Sequence, residues 1–210
     1  MESTWDRTVA VARIATVNAR MDSNIHMSED RDMVAAALAR APGAFAALVS
    51  RHEKLVWHVI YRMVQHPEET RDLSQEAFLR VHRQLGQFRF ESALGTWIGR
   101  IAFSVACRHL RRQRIPLDDS GDDVSAAERV SDDFDLNAAM ADAQLLQRMI
   151  QAIEALPPLQ RTVITLYHLD EIGVAQVALI TGLAEGTVKS HLFRARMRLR
   201  QQLQHLMGET

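Results

Sequence analysis

The sequence has a single cysteine among its 210 residues, and it has few prolines, glycines and aromatic residues. Cys107 alone can form no internal disulfide and no zinc site, which favours a reducing compartment. Five prolines and nine glycines exclude collagen-like and low-complexity architectures. No apolar run approaches the roughly 18 residues of a membrane span, and Arg13 interrupts the best candidate for a signal sequence, residues 9–12. We therefore expect a cytoplasmic protein.

The rest of the composition is that of an ordinary globular chain with a helical bias. Hydrophobic side chains make up 47% of the residues and charged side chains 24%. Alanine, leucine, arginine and glutamine are abundant, and all four are good helix formers. The length suits one large domain or two small ones. The composition therefore predicts an all-α protein.

The net charge of −1 hides a segregation of charge along the chain. Residues 118–135 contain eight acidic side chains and one arginine, a net charge of −7. Taking this −7 from the total of −1 leaves +6 for the other residues. Much of that positive charge lies in residues 108–114 and 189–200, so two basic patches flank an acidic segment, a pattern that permits a nucleic-acid partner.

Composition and periodicity divide the chain into four segments. Residues 1–30 show no sustained apolar period, and we expect a poorly ordered arm. A first small helical domain is expected over residues 31–115, and the acidic residues 116–136 are expected to be a flexible linker. A second small helical domain is expected over residues 137–210.

Three helices are predicted in the first domain, over residues 42–66, 67–86 and 96–112, with a loop over 87–95. Proline 67 suits a first helical turn, and the two glutamates after it complement the helix dipole. The buried stripe of the second helix is predicted to be Leu73, Ala77, Val81 and Leu85.

The second domain is predicted to end in a helix-turn-helix. Helices over residues 136–156 and 159–168 are followed by a short helix at 173–180, a turn at 181–184 and a longer helix at 185–204. At 100° per residue, one stripe of the last helix points inward: Val188, Leu192, Ala195 and Leu199. An adjacent stripe is predicted to be exposed and to face DNA: Thr187, Ser190, His191, Arg194 and Arg198.

Donor-rich side chains on the early turns of such a helix suit the acceptors of the DNA major groove. A solvated helix face is the commoner explanation of a run of arginines. The turn, the charge and the helix lengths agree with one another, and together they favour DNA binding.

The loop at 87–95 carries aromatic, cationic and hydroxyl side chains within a short span: Phe88, Arg89, Phe90 and Ser92. Aromatics beside cations can stack and hold single-stranded bases. The alternative is that Trp97 and one phenylalanine anchor the loop to the core, and for Trp97 the sequence favours this alternative.

Metal binding and catalysis find little support in the sequence. Nine histidines are present, but the pairs His52 with His58 and His66 with His82 lack the spacing of ligands that share a helical face. Asp72 and Glu76, one turn apart, fit a solvated or docking surface better than an acid–base pair. There is no nucleotide-binding loop and no nucleophile motif. We expect no metal, no cofactor and no enzyme.

Several motifs resemble those of bacterial sigma factors of the sigma-70 class, specifically the extracytoplasmic-function group, which keeps only regions 2 and 4. Residues 72–81 are similar to region 2.2, and residues 88–89 with 96–102 are similar to regions 2.3 and 2.4. Residues 156–161 and 186–196 are similar to region 4. The resemblance covers roughly residues 42–114 and 138–205.

The resemblance implies a specificity subunit of RNA polymerase that binds the core enzyme, recognises promoter DNA and helps to melt it. It implies no catalytic site and no small-molecule substrate, and it implies an anti-sigma factor that holds the protein, sometimes near the inner membrane. The acidic linker would thread toward the active-site channel and the RNA exit path.

The implied docking residues for core polymerase are Asp72, Gln75, Glu76 and Phe78. The expected minus-ten residues, which include the basic cluster, are Phe88, Arg89, Phe90, Ser92, Trp97, Arg100, Arg108, Arg111 and Arg112. The expected minus-thirty-five residues are Thr187, Lys189, Ser190, His191, Phe193, Arg194 and Arg198.

Two other functions compete with this interpretation. A self-sufficient regulator would bind an operator as a dimer through the helix-turn-helix, but a sensor domain would have no reason to carry the docking motif at 72–81. A mimic that sequesters an anti-sigma factor would carry a receiver domain, for which this chain has no room.

Overall fold

The structure is a computed structural model, and it describes residues 23–117 and 143–208. Within these ranges the chain forms eight α-helices and no β-strand, which confirms the all-α prediction. The described residues divide into two compact units. The helices between Ser23 and Arg112 belong to the first unit, and those over Ala143–His168 and Glu185–Gly208 belong to the second.

The first unit contains four helices. They are α1 (Ser23–Leu38), α2 (Ala44–Val64), α3 (Pro67–Gln84) and α4 (Leu94–Arg112), with a 3₁₀ turn over Leu85–Gln87 between α3 and α4. Helices α2, α3 and α4 all contact one another, and α1 packs on α2. The three predicted helices are therefore present, and α1 is an addition to them.

The boundary between α2 and α3 lies where the sequence predicts it. Gln65 takes a left-handed conformation (φ 57°), and its N–H donates to the Tyr61 carbonyl to close α2. Pro67 then occupies the first turn of α3, and the side chain of His66 accepts a hydrogen bond from the Glu69 amide at 3.4 Å. Proline and a capping side chain together fix the start of the helix.

The core of the first unit is built from the apolar stripes of its helices. The predicted stripe of α3, Leu73, Ala77 and Val81 with Leu85 after it, is buried as expected. Fully buried side chains from the neighbouring helices complete the core: Leu48, Val56, Ile60, Leu94, Ile98 and Leu110. This burial removes the apolar area from water, and each large side chain contributes about 1.5–3 kcal/mol.

The second unit contains α5 (Ala143–Glu154), α6 (Pro158–His168) and α8 (Glu185–Gly208), and α8 packs against both α5 and α6. The predicted inward stripe of α8 is buried: Val188, Leu192, Ala195 and Leu199. Along the chain, the short helix α7 (Val174–Thr181) follows α6 and precedes α8. Gly182 follows it with φ 72°, a conformation that suits glycine at a helix end.

Two differences from the predicted boundaries bear on the candidate site. Helix α1 begins at Ser23, inside the segment predicted to be a poorly ordered arm, and α4 begins at Leu94 rather than Thr96. Helix α4 starts earlier because the Asp30 carboxylate of α1 accepts a hydrogen bond from the Leu94 amide. The first 22 residues of the arm and the linker residues 118–136 lie outside the described residues, as do residues 136–142 of the predicted helix 136–156. No helix in the described ranges is both long enough and apolar enough to cross a membrane.

Candidate nucleic-acid and polymerase-binding surfaces

The segment from Phe88 to Ala93, here called the loop 88–93, is anchored by an aromatic cluster. The ring of Phe88 lies 4.7 Å from that of Phe90 and 5.3 Å from that of Trp97 between centroids. Phe88 is only 8% exposed, while Phe90 and Trp97 are half-buried. Packed aromatic pairs contribute about 0.5–1.5 kcal/mol beyond their buried area. Phe88 and Trp97 therefore hold the loop to the core, as the alternative interpretation of Trp97 predicts.

The polar residues of the loop are more accessible. Arg89 is exposed and Ser92 is half-buried, and the Ser92 hydroxyl donates a long hydrogen bond of 3.3 Å to the Ala93 carbonyl. Phe90 has φ 57°, a left-handed conformation that costs a non-glycine residue about 1–2 kcal/mol. The surrounding contacts must offset this cost. The guanidinium of Arg31 lies 5.7 Å from the centroid of the Phe90 ring and supplies one such contact.

The first turn of α4 receives its cap from a distant part of the chain. Ala93, at the cap position, has no side chain that can accept a hydrogen bond. The Leu94 amide instead donates to Oδ2 of Asp30 in α1 at 2.8 Å, and Asp30 is only 4% exposed. Sequence analysis missed Asp30, because nothing in the local pattern links residue 30 to residue 94.

The basic residues of α4 share one side of that helix. Arg100, Arg108, Arg111 and Arg112 are all exposed. At 100° per residue they fall within an arc of about 120°. Across the unit, Nε2 of His109 lies 2.9 Å from Oε2 of Glu69, and this hydrogen bond lowers the pKa of the Glu69 carboxyl. The bond ties α4 to α3 and leaves the four arginines accessible to phosphates.

The predicted docking residues of α3 lie on its exposed side and along a neighbouring groove. Asp72 and Gln75 are exposed, and Glu76 forms an ion pair with Arg80 one turn later. Gln75 and Phe78 line a groove of about 490 Å³ between α2 and α3. The groove wall is largely apolar and includes Phe45, Val49, Trp57 and Leu79.

Leu79 belongs to the same surface, and sequence analysis missed it. Its side chain is 57% exposed, and it lies one turn after Gln75 and Glu76. A large apolar side chain between polar ones is typical of the centre of a protein interface. The signal was present in the sequence, since Leu79 falls outside the buried stripe of α3.

The predicted DNA-binding residues of α8 are only partly exposed. Thr187 and Lys189 are exposed, whereas Phe193, Arg194 and Arg198 are half-buried. The prediction is wrong about the exposure of Ser190 and His191, which are 8% and 4% exposed.

Local hydrogen bonds account for these two side chains. The Ser190 hydroxyl donates to the Gly186 carbonyl at 3.0 Å, one turn back along the helix, a common alternative for serine in a helix. Nδ1 of His191 lies 3.2 Å from a guanidinium nitrogen of Arg194. In this arrangement His191 orients Arg194.

Comparisons with known proteins identify the family of this chain. The family model for sigma-70 region 2 matches residues 48–115, and that for sigma-70 region 4 matches residues 146–199. The RNA polymerase sigma-H factor of Pseudomonas aeruginosa is 34% identical over 177 residues, covering 79% of this chain and 89% of that protein. The ECF RNA polymerase sigma-E factor of Escherichia coli K12 is 34% identical over 175 residues, covering 78% of this chain and 88% of that protein.

Solved structures share the fold. A structure of CnrH in complex with the cytosolic domain of CnrY has a TM-score of 0.58 at 23% identity, covering 84% of this chain and 97% of that one. The sigma factor RpoE of Bartonella quintana, in complex with the anti-sigma factor NepR, has a TM-score of 0.56 at 21% identity, covering 77% of this chain and 98% of that one. These structures show the shared fold, and the family models and curated relatives show that the chain belongs to the sigma-70 family, in its extracytoplasmic-function group, and is an RNA polymerase sigma factor.

Proposed function

We propose that α3 docks this sigma factor on core RNA polymerase, that the loop 88–93 and α4 engage and open the minus-ten DNA, and that α8 reads the minus-thirty-five element. The observation that carries the proposal is the two-sided character of α3. One side of this helix is core, and the other presents Asp72, Gln75 and Glu76 around the exposed Leu79.

The chemistry of that surface suits a helical protein partner with basic and apolar residues. Leu79 and Phe78 supply apolar area, and the acidic side chains supply charge complementarity that favours fast and specific association. The alternative, a dimeric operator-binding regulator, gives this surface no role, and the relatives named above are sigma factors.

The minus-ten interaction is proposed for the loop 88–93 together with the arginines of α4. Arg89, Phe90 and Ser92 are the accessible loop side chains that would hold an extracted base. Phe88 and Trp97 would anchor the loop to the core of the first unit. The exposed arc of Arg100, Arg108, Arg111 and Arg112 would attract the phosphates of the strand.

The minus-thirty-five interaction is proposed for α8. Thr187, Lys189 and Arg194, with Phe193 and Arg198 beside them, would contact DNA. Ser190 and His191 would act mainly by shaping this surface, because their own polar atoms bond within the helix.

We further propose that the protein works in the cytoplasm without a catalytic site or small-molecule substrate of its own, and that an anti-sigma factor holds it, in some states near the inner membrane. Support comes from the structural relative RpoE, which was solved with the anti-sigma factor NepR. Members of the sigma-70 family are in general not enzymes.

Measurement of the affinity for core polymerase tests the docking proposal. Asp72→Lys combined with Glu76→Lys should weaken binding to core polymerase by about 30-fold or more, since truncating a charge in an interface costs about 2–5 kcal/mol. Asp32→Lys is the matched control for Asp72→Lys, because both residues are exposed aspartates on helices of the same unit. Asp32→Lys should bind core normally. Core binding by the double variant at parent affinity, with the fold intact by circular dichroism, would refute the docking proposal.

A further inference from the structure

Two consecutive residues of α1 contact the segment that joins the 3₁₀ turn to α4, one within the loop 88–93 and one at the first residue of α4. Asp30 accepts the hydrogen bond from the Leu94 amide at 2.8 Å. The guanidinium of Arg31 lies over the Phe90 ring at 5.7 Å from its centroid. Both contacts join residues about sixty positions apart, and both fall on the loop 88–93 or on the residue directly after it.

The Asp30 contact determines where α4 begins. The first amides of a helix have no partner within the helix, and a buried one must find an acceptor elsewhere. Ala93 offers no side-chain oxygen, so the nearly buried carboxylate of Asp30 takes that place. A carboxylate at this position also complements the positive end of the helix dipole. Without this acceptor, the first turn of α4 would be expected to unwind toward Thr96, where sequence alone predicts the start.

The Arg31 contact acts on the strained residue of the loop. Phe90 has φ 57°, and a residue in this region keeps its conformation only where its neighbours hold it. The Phe88 ring contacts Phe90 from one side, and the Arg31 guanidinium lies on its ring. Loss of either contact would be expected to widen the range of conformations open to Arg89, directly before Phe90, and to Ser92, two residues after it.

We propose that α1 is a positioning element for promoter melting, with Asp30 and Arg31 as positioning residues that keep the loop 88–93 in the shape that receives a base. This inference rests on the proposed role of the loop in melting. It extends the melting apparatus to a helix outside residues 48–115, the part matched by the region 2 family model.

The test uses the full-length chain in reconstituted holoenzyme, with saturating core polymerase. Asp30→Ala should reduce open-complex formation on a duplex promoter by about tenfold or more, in keeping with the loss of a hydrogen bond to a charged group. Permanganate reactivity of unpaired thymines measures that step. A pre-melted bubble template should restore most of the transcription. Asp30→Asn should keep most of the opening, because the amide oxygen can still accept from Leu94.

The matched control is Val34→Ala, a truncation on the same helix. Val34 is 3% exposed, so its truncation destabilises the packing of α1 while leaving Asp30 and Arg31 in the sequence. At a temperature where both variants are folded by circular dichroism, Val34→Ala should open the duplex normally. Equal opening defects for Val34→Ala and Asp30→Ala would overturn the proposal, since a general loss of stability would then explain both.

Arg31→Ala keeps the proposal testable if Asp30→Ala does not fold. Arg31 is exposed, and its replacement should leave the fold intact while lowering duplex opening about threefold or more, as expected for the loss of a cation–π contact. In a background with Trp5 and Trp57 changed to phenylalanine, the emission of Trp97 should shift in the Asp30 and Arg31 variants and not in Val34→Ala. Parent-like opening in folded Asp30→Ala, or in Arg31→Ala where the former does not fold, would overturn the proposal.

A loop variant separates this inference from the function on which it rests. Arg89→Ala with Ser92→Ala changes the loop directly. If that variant opens duplex DNA normally, the proposed melting role of the loop fails. If it is defective while the α1 variants open normally, only the role of α1 is lost.

Discussion

The stability of the first unit should depend on pH through one buried histidine, His52 of α2. Its ring lies beside the first turn of α4, where a Cβ added at Gly95 would come within 3.7 Å of Cε1 and Nδ1. Burial lowers the pKa of His52 from 6.5 to about 4, while the charge of Asp30 opposes this shift and that of Arg51 adds to it. The folded chain therefore binds this proton more weakly than the unfolded chain does.

The sign and size of the effect follow from this difference in pKa. Because the unfolded state binds the proton more readily, the free energy of unfolding falls as the pH drops below 6.5. With pKa values of 6.5 and about 4, the loss is about 2 kcal/mol at pH 5 and about 3 kcal/mol below pH 4. Above pH 7.5 the effect vanishes.

Urea unfolding of the parent and of His52→Gln at pH 7.5, 6.5, 5.5 and 5 measures this effect. Glutamine does not titrate, so the stability difference between the two proteins cancels the contributions of all other groups. The parent should lose about 2 kcal/mol more than His52→Gln between pH 7.5 and pH 5. Parallel pH dependences for the two proteins would refute the assignment of a depressed pKa to His52.

Three further changes test the proposed surfaces. Arg89→Ala with Ser92→Ala should leave closed complexes nearly intact and lower open complexes by about fivefold to 150-fold, in line with about 1–3 kcal/mol for a base-edge contact; normal opening of duplex promoter by permanganate would make the loop a connector only. Arg194→Ala should cost about 1–3 kcal/mol of promoter discrimination at the minus-thirty-five element, while Arg200→Ala, exposed on another face, should cause a smaller, salt-dependent loss; equal losses that ignore promoter sequence would contradict the face assignment. Arg196→Ala should lower the thermal stability of the second unit by about 1 kcal/mol, because its guanidinium donates to Nε2 of His168 and lies over the Tyr167 ring; an unchanged melting temperature would contradict this structural role.

Helix boundaries and buried stripes could be predicted where local sequence determines them. The start of α3 follows from Pro67 and the two glutamates after it, and the end of α2 follows from the predicted break directly before Pro67. The inward stripe of α8 follows from helical periodicity, and Val188 and Leu199 are fully buried as expected. In these places a helix or a stripe depends on residues within one or two turns of each other.

Side-chain exposure on α8 could not be predicted from angular position alone. Ser190 and His191 fall on the stripe that periodicity marks as exposed, yet both are nearly buried. The helical wheel gives a direction for each Cβ, but it contains no information about a hydroxyl that bonds back to the preceding turn. It also does not reveal that an imidazole lies against a neighbouring arginine. In the proposed contact with the minus-thirty-five element, Lys189 and Arg194 would therefore matter more than the sequence pattern indicates.

The start of α4 shows the same limit over a longer distance. The sequence predicts that the helix begins at Thr96, because Gly95 ends the preceding loop. The helix begins at Leu94 because the carboxylate of Asp30, 64 positions away, accepts from its amide. A bond of that separation forms only after α1 has packed onto α2, so its effect on α4 is a consequence of tertiary structure. If α1 positions the loop as proposed, the residues that shape DNA melting in this protein extend beyond the motifs by which the family is recognised.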